Sequence, residues 1–151
     1  MSTFPSRPDV CAFCRVIAGR AEALEVFSDE VAVAILDRRP LFPGHVLLLP
    51  RGHYQTLADV PSELVGPLFT DAQLLQLAVE KAMGAEGAFV GINNRVSQSI
   101  PHLHIHIVPR RRGDGLKGFF WPRHSYPDEA AALEVQLALR EAIARLRAGA
   151  D

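Results

Sequence analysis

The run Pro101-His102-Leu103-His104-Ile105-His106-Ile107-Val108 holds three of the chain's six histidines, placed at every second position. In an extended segment successive side chains point to opposite faces, so the three imidazoles share one face while Leu103, Ile105 and Ile107 face the core. Same-face neighbours lie about 7 Å apart, close enough for the rings to meet on one metal ion or one phosphate group. Neutral imidazole is a nucleophile at pH 7, since its unperturbed pKa of about 6.5 leaves much of it unprotonated. Its neighbours, once protonated, can hold a phosphate oxygen or protonate a leaving group. On these residues alone a phosphate site and a three-histidine metal centre both stand open. The two cysteines, Cys11 and Cys14, form a C-x-x-C pair. In a reducing compartment that spacing favours a metal or redox role over a structural staple.

The segments that must position these groups follow from periodicity. Residues 1–10, rich in proline and polar groups, read as a flexible N-terminal arm, and 11–151 as a single domain ending in a helix. Cys11 to Ala18 reads as a short helix closed by Gly19. Leu24 to Phe27 and Val31 to Leu36 form a hairpin, followed by a strand at His45 to Leu49. Leu64, Leu68, Ala72, Leu75, Val79 and Ala82 recur at helical steps across Pro61 to Met83, with Pro67 as a kink or first-turn residue. Phe89 to Ile92 and His102 to Val108 are the remaining strands, separated by the polar loop Asn93 to Ser99. Pro127 to Arg147 is an amphipathic helix with Val135, Leu139, Ile143 and Leu146 on one stripe. The predicted class is α+β, a single antiparallel sheet with helices packed on one face.

Composition narrows the partners. A chain of 151 residues suits one core, and 48% apolar with 22% charged residues is ordinary for a globular protein. The net charge of -1 supplies no field that attracts nucleic acid or an anionic membrane, so an anionic ligand must be held locally. With no apolar run of spanning length, the chain reads as soluble and cytoplasmic, with no membrane or nucleic-acid partner.

Read in order, His-Leu-His-Ile-His-Ile-Val at 102–108 resembles the signature of the histidine triad (HIT) superfamily. Cys-x-Phe-Cys-x-x-Ile-x-Gly near the start, Ala-Ile-Leu-Asp37, Pro43-Gly44-His45-Val-Leu-Leu-Leu-Pro50 and Gln98-Ser99 extend the likeness over most of the chain. The resemblance implies a HIT-like fold and a homodimeric nucleotide hydrolase without an organic cofactor. Such an enzyme cleaves dinucleoside polyphosphates or nucleoside phosphoramidates at the α-phosphate and releases a nucleoside monophosphate. His104 would be the nucleophile that forms a covalent nucleotidyl intermediate, His106 would bind the phosphate, and His102 with His45 would orient the array and help the leaving group. Gln98 and Ser99 would meet the phosphate and leaving group, Asp37 the ribose hydroxyls and Asn93 the ribose or phosphate, with Phe13, Ile17 and Ile35 lining the base pocket. In some bacterial members a structural zinc joins positions matching Cys11, Cys14, His53 and His102. A phosphorylase, a nucleotidyltransferase or a non-catalytic nucleotide-binding regulator are the alternatives; His106 favours hydrolysis, because the transferase branch usually lacks the third histidine.

Two departures from the family pattern bear on substrate choice. The loop between Asn93 and Gln98 is shorter than usual and lacks glycine, so Arg95 is expected to replace backbone donors with a charged fork. After the triad, the basic and aromatic segment from Arg110 to Arg123 is either a grip for polyphosphate or a stacked base, or a solvated loop.

Overall fold

The computed structural model describes residues 4–116 and 123–149, so Lys117–Pro122 of the basic and aromatic segment lie outside it. Chain packing groups the residues into two units, Met1–Asp114 and Gly115–Asp151. In the first unit α1 (Ala12–Ile17) precedes β1 (Glu25–Ser28), β2 (Ala32–Leu36) and β3 (Val46–Pro50). A 3-10 turn at Leu57–Asp59, α2 (Ser62–Met83), β4 (Gly87–Gly91) and β5 (Ile105–Arg110) follow. The five strands form one antiparallel sheet in the order β1-β2-β3-β5-β4, as the α+β reading requires.

Each face of the sheet has its own helix, which corrects the expectation that all helices pack on one side. Ala34, Leu48, Ile105 and Ile107 join Leu68, Ala72, Leu75 and Val79 of α2 in one core cluster. The alternate residues Val33, Ile35, Leu47 and Leu49 pack with Cys11, Phe13 and Cys14 of α1 in the other. Strands buried on both faces cannot show a polar face, which is why Val46–Pro50 is buried throughout and reads as an unbroken apolar run. The helix α2 stays continuous through Pro67, six residues into the element, where one backbone hydrogen bond at most is forfeited. It ends at Gly84, whose φ of 57° is a left-handed value that glycine adopts without strain. Among the described residues no helix is long and apolar enough to cross a membrane.

The second unit contains α3 (Glu129–Arg147), opened by the Asp128 carboxylate accepting from the Ala131 N–H at 2.8 Å. The stripe of Val135, Leu139, Ile143 and Leu146 expected from the sequence is exposed.

Candidate active site

The triad strand begins later than its sequence pattern suggests. His102 and His104 precede β5, because the Leu103 N–H donates to the carbonyl of Tyr54 at 2.7 Å and that of His102 to Ile100 at 2.8 Å, not to a neighbouring strand. The alternation nevertheless holds across the boundary. Leu103, Ile105 and Ile107 lie in the α2 cluster, while His104 and His106 face the α1 side with ring centroids 4.9 Å apart.

Hydrogen-bond partners of known polarity fix where each imidazole carries its proton. Nδ1 of His104 lies 2.8 Å from the His102 carbonyl oxygen, which can only accept, so Nδ1 is protonated and Nε2 keeps a lone pair. The Leu41 N–H donates to Nδ1 of His45 at 3.1 Å, so the His45 proton sits on Nε2, which points at Nδ1 of His106 at 3.0 Å. His106 must then hold its own proton on Nε2. The relay leaves an Nε2–H on His106, whose ring centroid lies 4.9 Å from that of His104.

Burial disfavours the protonated forms of His106 and His45. Desolvation pushes His106 down to about 4 from its ordinary 6.5, with the imidazoles of His104 and His45 adding to the shift. Burial lowers His45 as well, although Asp37, whose Oδ2 lies 3.7 Å from Nδ1, opposes it. A neutral His106 can still donate a hydrogen bond to an anion, without repelling protonation elsewhere in the cluster.

His102 is turned to a different task. Its Nε2–H donates to the Pro50 carbonyl at 3.0 Å, so the Nδ1 lone pair faces Sγ of Cys11 and of Cys14, each 3.5 Å away. His53 approaches the Cys14 sulfur through Nδ1 at 3.3 Å. One donor atom from each of Cys11, Cys14, His53 and His102 lies within 4.8 Å of all the others. Two thiols and two imidazoles converging in this way match the donor set of a four-coordinate zinc site. The Pro50 carbonyl supplies the outer hydrogen bond that orients a ligating imidazole. The other candidate metal group among the described residues is Asp37, His45 and His106, and neither includes His104. The three-histidine metal centre that the spacing left open is therefore not assembled.

A cavity of about 270 Å³ opens beside the histidine pair. Of the predicted contacts, Phe13, Ile35, Asp37, Ser99, His104 and His106 line it. Phe13 sets its ring edge-on to His104 at 5.2 Å and to His102 at 5.8 Å, so α1 carries both a cavity wall and the two thiols. Ile17 instead packs against the thiol-side core. Gln98 spends its amide on the backbone, accepting from the Arg95 N–H at 2.9 Å and donating to the Gln55 carbonyl at 2.7 Å. Asn93 is half-buried outside the lining. The loop it opens is strained, with Arg95 and Ser97 at φ of 69° and 58°.

Sequence reading missed Glu22, Arg38, Leu47 and Ile100, all of which line the same cavity. Leu47 was findable, since it is the next same-face residue after His45; Glu22 and Arg38 lie in turns whose course no periodicity records. The arginines after the triad are largely engaged within the chain. Arg110 forms a two-pronged pair with Asp114 at 2.6 and 3.0 Å, and Arg111 donates to the Met83 carbonyl at 2.7 Å. A separate cavity of about 230 Å³ beside Phe42, Pro43 and Met83 contains none of the histidines.

Residues 18–113 match the HIT domain. The chain belongs to the HIT family. It is 37% identical over 108 residues to the adenylylsulfatase HINT3 of Arabidopsis thaliana, a match covering 70% of this chain and 55% of that protein. It therefore spans about half the length of that relative. It is 31% identical over 116 residues to the adenosine 5'-monophosphoramidase HNT1 of Saccharomyces cerevisiae, covering 74% of this chain and 70% of the other. Among solved HIT structures, a zinc-bound histidine triad protein from Mycobacterium smegmatis superposes with a TM-score of 0.70 at 32% identity, covering 87% of this chain and 99% of that one. HIT-family membership and the antiparallel five-stranded sheet thus agree.

Proposed function

We propose that this HIT-family chain is a nucleotide hydrolase that cleaves phosphoramidates or dinucleoside polyphosphates at the α-phosphate through a nucleotidyl-His104 intermediate. The observation that carries this reading is the pairing of His104, whose Nδ1 contact leaves Nε2 as the nitrogen for a lone pair, with His106 at a ring-centroid distance of 4.9 Å in the lining of one cavity. His104 attacks phosphorus, and the bond to the leaving amine or phosphate breaks, the electron pair and a solvent-derived proton going with the leaving group. Water then adds to phosphorus and expels His104, giving a nucleoside monophosphate and a proton and restoring the lone pair. His106 holds a non-bridging oxygen throughout, a contact that strengthens as charge builds there. Asp37, whose carboxylate lies within 4.8 Å of a His106 ring nitrogen, offers acceptors to the ribose hydroxyls from the cavity lining. Names of relatives that act on adenylyl compounds support the class of substrate.

In the same reading Cys11, Cys14, His53 and His102 would hold a zinc ion. Four protein ligands close its coordination, so when bound it supplies structure rather than a reactive water. The homodimer that the resemblance implies, and a cytoplasmic nucleotide pool as its setting, belong to this proposal as well. The test is to mix the protein with labelled adenosine 5'-phosphoramidate and with a dinucleoside polyphosphate, quench in mild base, and recover the protein. An acid-labile nucleotide adduct, present in wild type and absent in His104→Ala, is the expected result. Neither adduct nor turnover, with AMP shown to bind, would overturn the hydrolase reading.

A further inference from the structure

The cavity runs across the sheet, and its two ends differ in chemistry. His106 pairs with Leu47, Leu47 with Ile35, and Ile35 with Glu25, so these four residues form one row from β5 to β1 on the α1 face. The cavity lining takes in His106, Leu47 and Ile35, and an adjoining cavity takes in Glu25, so the two together follow the row across three strand spacings, roughly 14 Å, which suits the span of a nucleoside monophosphate from phosphate to base edge. At the near end stand His104 and His106 with Asp37, whose carboxylate lies within 4.8 Å of a His106 ring nitrogen; Leu47 and Ile35 beyond them are apolar. At the far end the polar lining side chains are Glu22 and Arg38. The Arg38 guanidinium donates to the Glu22 carbonyl at 3.1 Å, tying the segment before β1 to the residue that follows Asp37. Among the described residues the Glu22 carboxylate has no hydrogen-bond or ion-pair partner of its own. A second cavity, about 440 Å³, continues past this point and shares Val16, Glu22, Ala23 and Arg38 with the first.

We infer that Glu22 determines base preference by accepting a hydrogen bond from the exocyclic amino group of the nucleobase, with Arg38 as the positioning residue that holds its main chain. The inference rests on the proposed nucleotide site and adds to it a rule for choosing substrates. An ionised carboxylate accepts and cannot donate, so it receives the amino group of adenine, guanine or cytosine and repels the keto oxygen that hypoxanthine or uracil presents instead. An apolar slot alone cannot discriminate these bases, which have nearly the same shape; only a directional polar partner can. Apart from Arg38, and from Asp37 beside His106, Glu22 is the only Asp, Glu, Lys or Arg among the described residues that lines the cavity.

The experiment compares adenosine with inosine, which differ at C6 by amino against keto, as their 5'-phosphoramidates in turnover and as AMP and IMP in calorimetric binding. Wild type is expected to favour adenosine by about tenfold in kcat/KM, expressed mainly in KM, with AMP binding tighter than IMP by a similar factor. Glu22→Ala should bring both ratios to within about twofold, Glu22→Asp should restore part of the preference, and Arg38→Ala should weaken it. Equal ratios in wild type, or a preference that survives Glu22→Ala, would overturn the inference. AMP binding over IMP in a Glu22-dependent way without any turnover would support base reading while defeating the hydrolase proposal. Failure to bind either nucleotide would overturn both.

Discussion

The Nδ1–H of His104 donates to the carbonyl oxygen of His102 at 2.8 Å, and the His102 ring points away toward two sulfurs. One residue thus orients the His104 ring with its main chain and joins the thiol cluster with its side chain. In the proposed reaction the His104 lone pair meets phosphorus, so His104→Ala is expected to lower kcat by on the order of 10³-fold or more with little change in AMP affinity. Single-turnover kinetics and calorimetry on the same preparation check it; comparable turnover in the variant would exclude His104 as nucleophile.

His45 pins the His106 tautomer through the Leu41 amide. In His45→Ala, Nδ1 of His106 loses its donor and the ring can protonate at either nitrogen. A drop of about 10- to 100-fold in kcat is expected, with KM nearly constant. His45→Gln retains an N–H donor and should recover part of the rate.

Cys11→Ser and His53→Ala are each expected to reduce bound zinc from one per chain toward zero, read by metal analysis, and to lower Tm. Burial raises the Cys11 thiol above its ordinary 9.0, and two thiols must lose protons to ligate, so zinc loading should fall as pH is lowered. Unchanged stoichiometry in both variants would remove the zinc assignment.

Acid should loosen the array. His106 sits at about 4 in the folded chain and near 6.5 when unfolded, so its neutral burial is fully tolerated above pH 6.5 and costs stability as pH falls toward 4. A Tm profile against pH should decline through that window, and His106→Asn should flatten part of the decline. A parallel profile for the variant would place the acid sensitivity elsewhere.

Asp71 on α2 works in the opposite direction. It is buried, its Oδ2 has no partner, and burial followed by the neighbouring Asp29 raises it from 3.8 to about 6. Asp29 already accepts the Val31 and Ala32 N–H groups at 2.8 and 2.9 Å, so the turn between β1 and β2 holds its carboxylate in place. The folded state binds the Asp71 proton more tightly than the unfolded state, and the associated stability is lost as pH rises through 6. Asp71→Asn should therefore raise Tm by about 3–6 °C at pH 8, with the gain disappearing near pH 4. Equal gains at both values would point to packing instead of charge.

Much of the site could be read from one dimension because it depends on alternation. His102, Leu103, His104, Ile105 and His106 keep their facing even though β5 starts only at Ile105, since an extended backbone turns side chains over at every residue whether or not a neighbouring strand is bonded to it. The strand start was not legible, because it depends on the Tyr54 carbonyl some fifty positions earlier capturing the Leu103 N–H. The apolar runs of β2 and β3 gave no clue that helices cover both faces, as a strand buried twice has no polar side to betray its orientation.

The sequence by itself determined the residue types and their facing: three imidazoles opposed to an aliphatic row, a thiol pair, and a chain whose local patterns agree with a HIT-like sheet. Only the tertiary structure decided which partner each imidazole nitrogen meets. Whether an imidazole nitrogen keeps a proton or a lone pair depends on the group opposite it, and those groups, the His102 and Pro50 carbonyls and the Leu41 amide, are main-chain atoms without any side-chain signature. The same holds for Glu22, which enters the cavity through the path of the chain and not through any pattern around it.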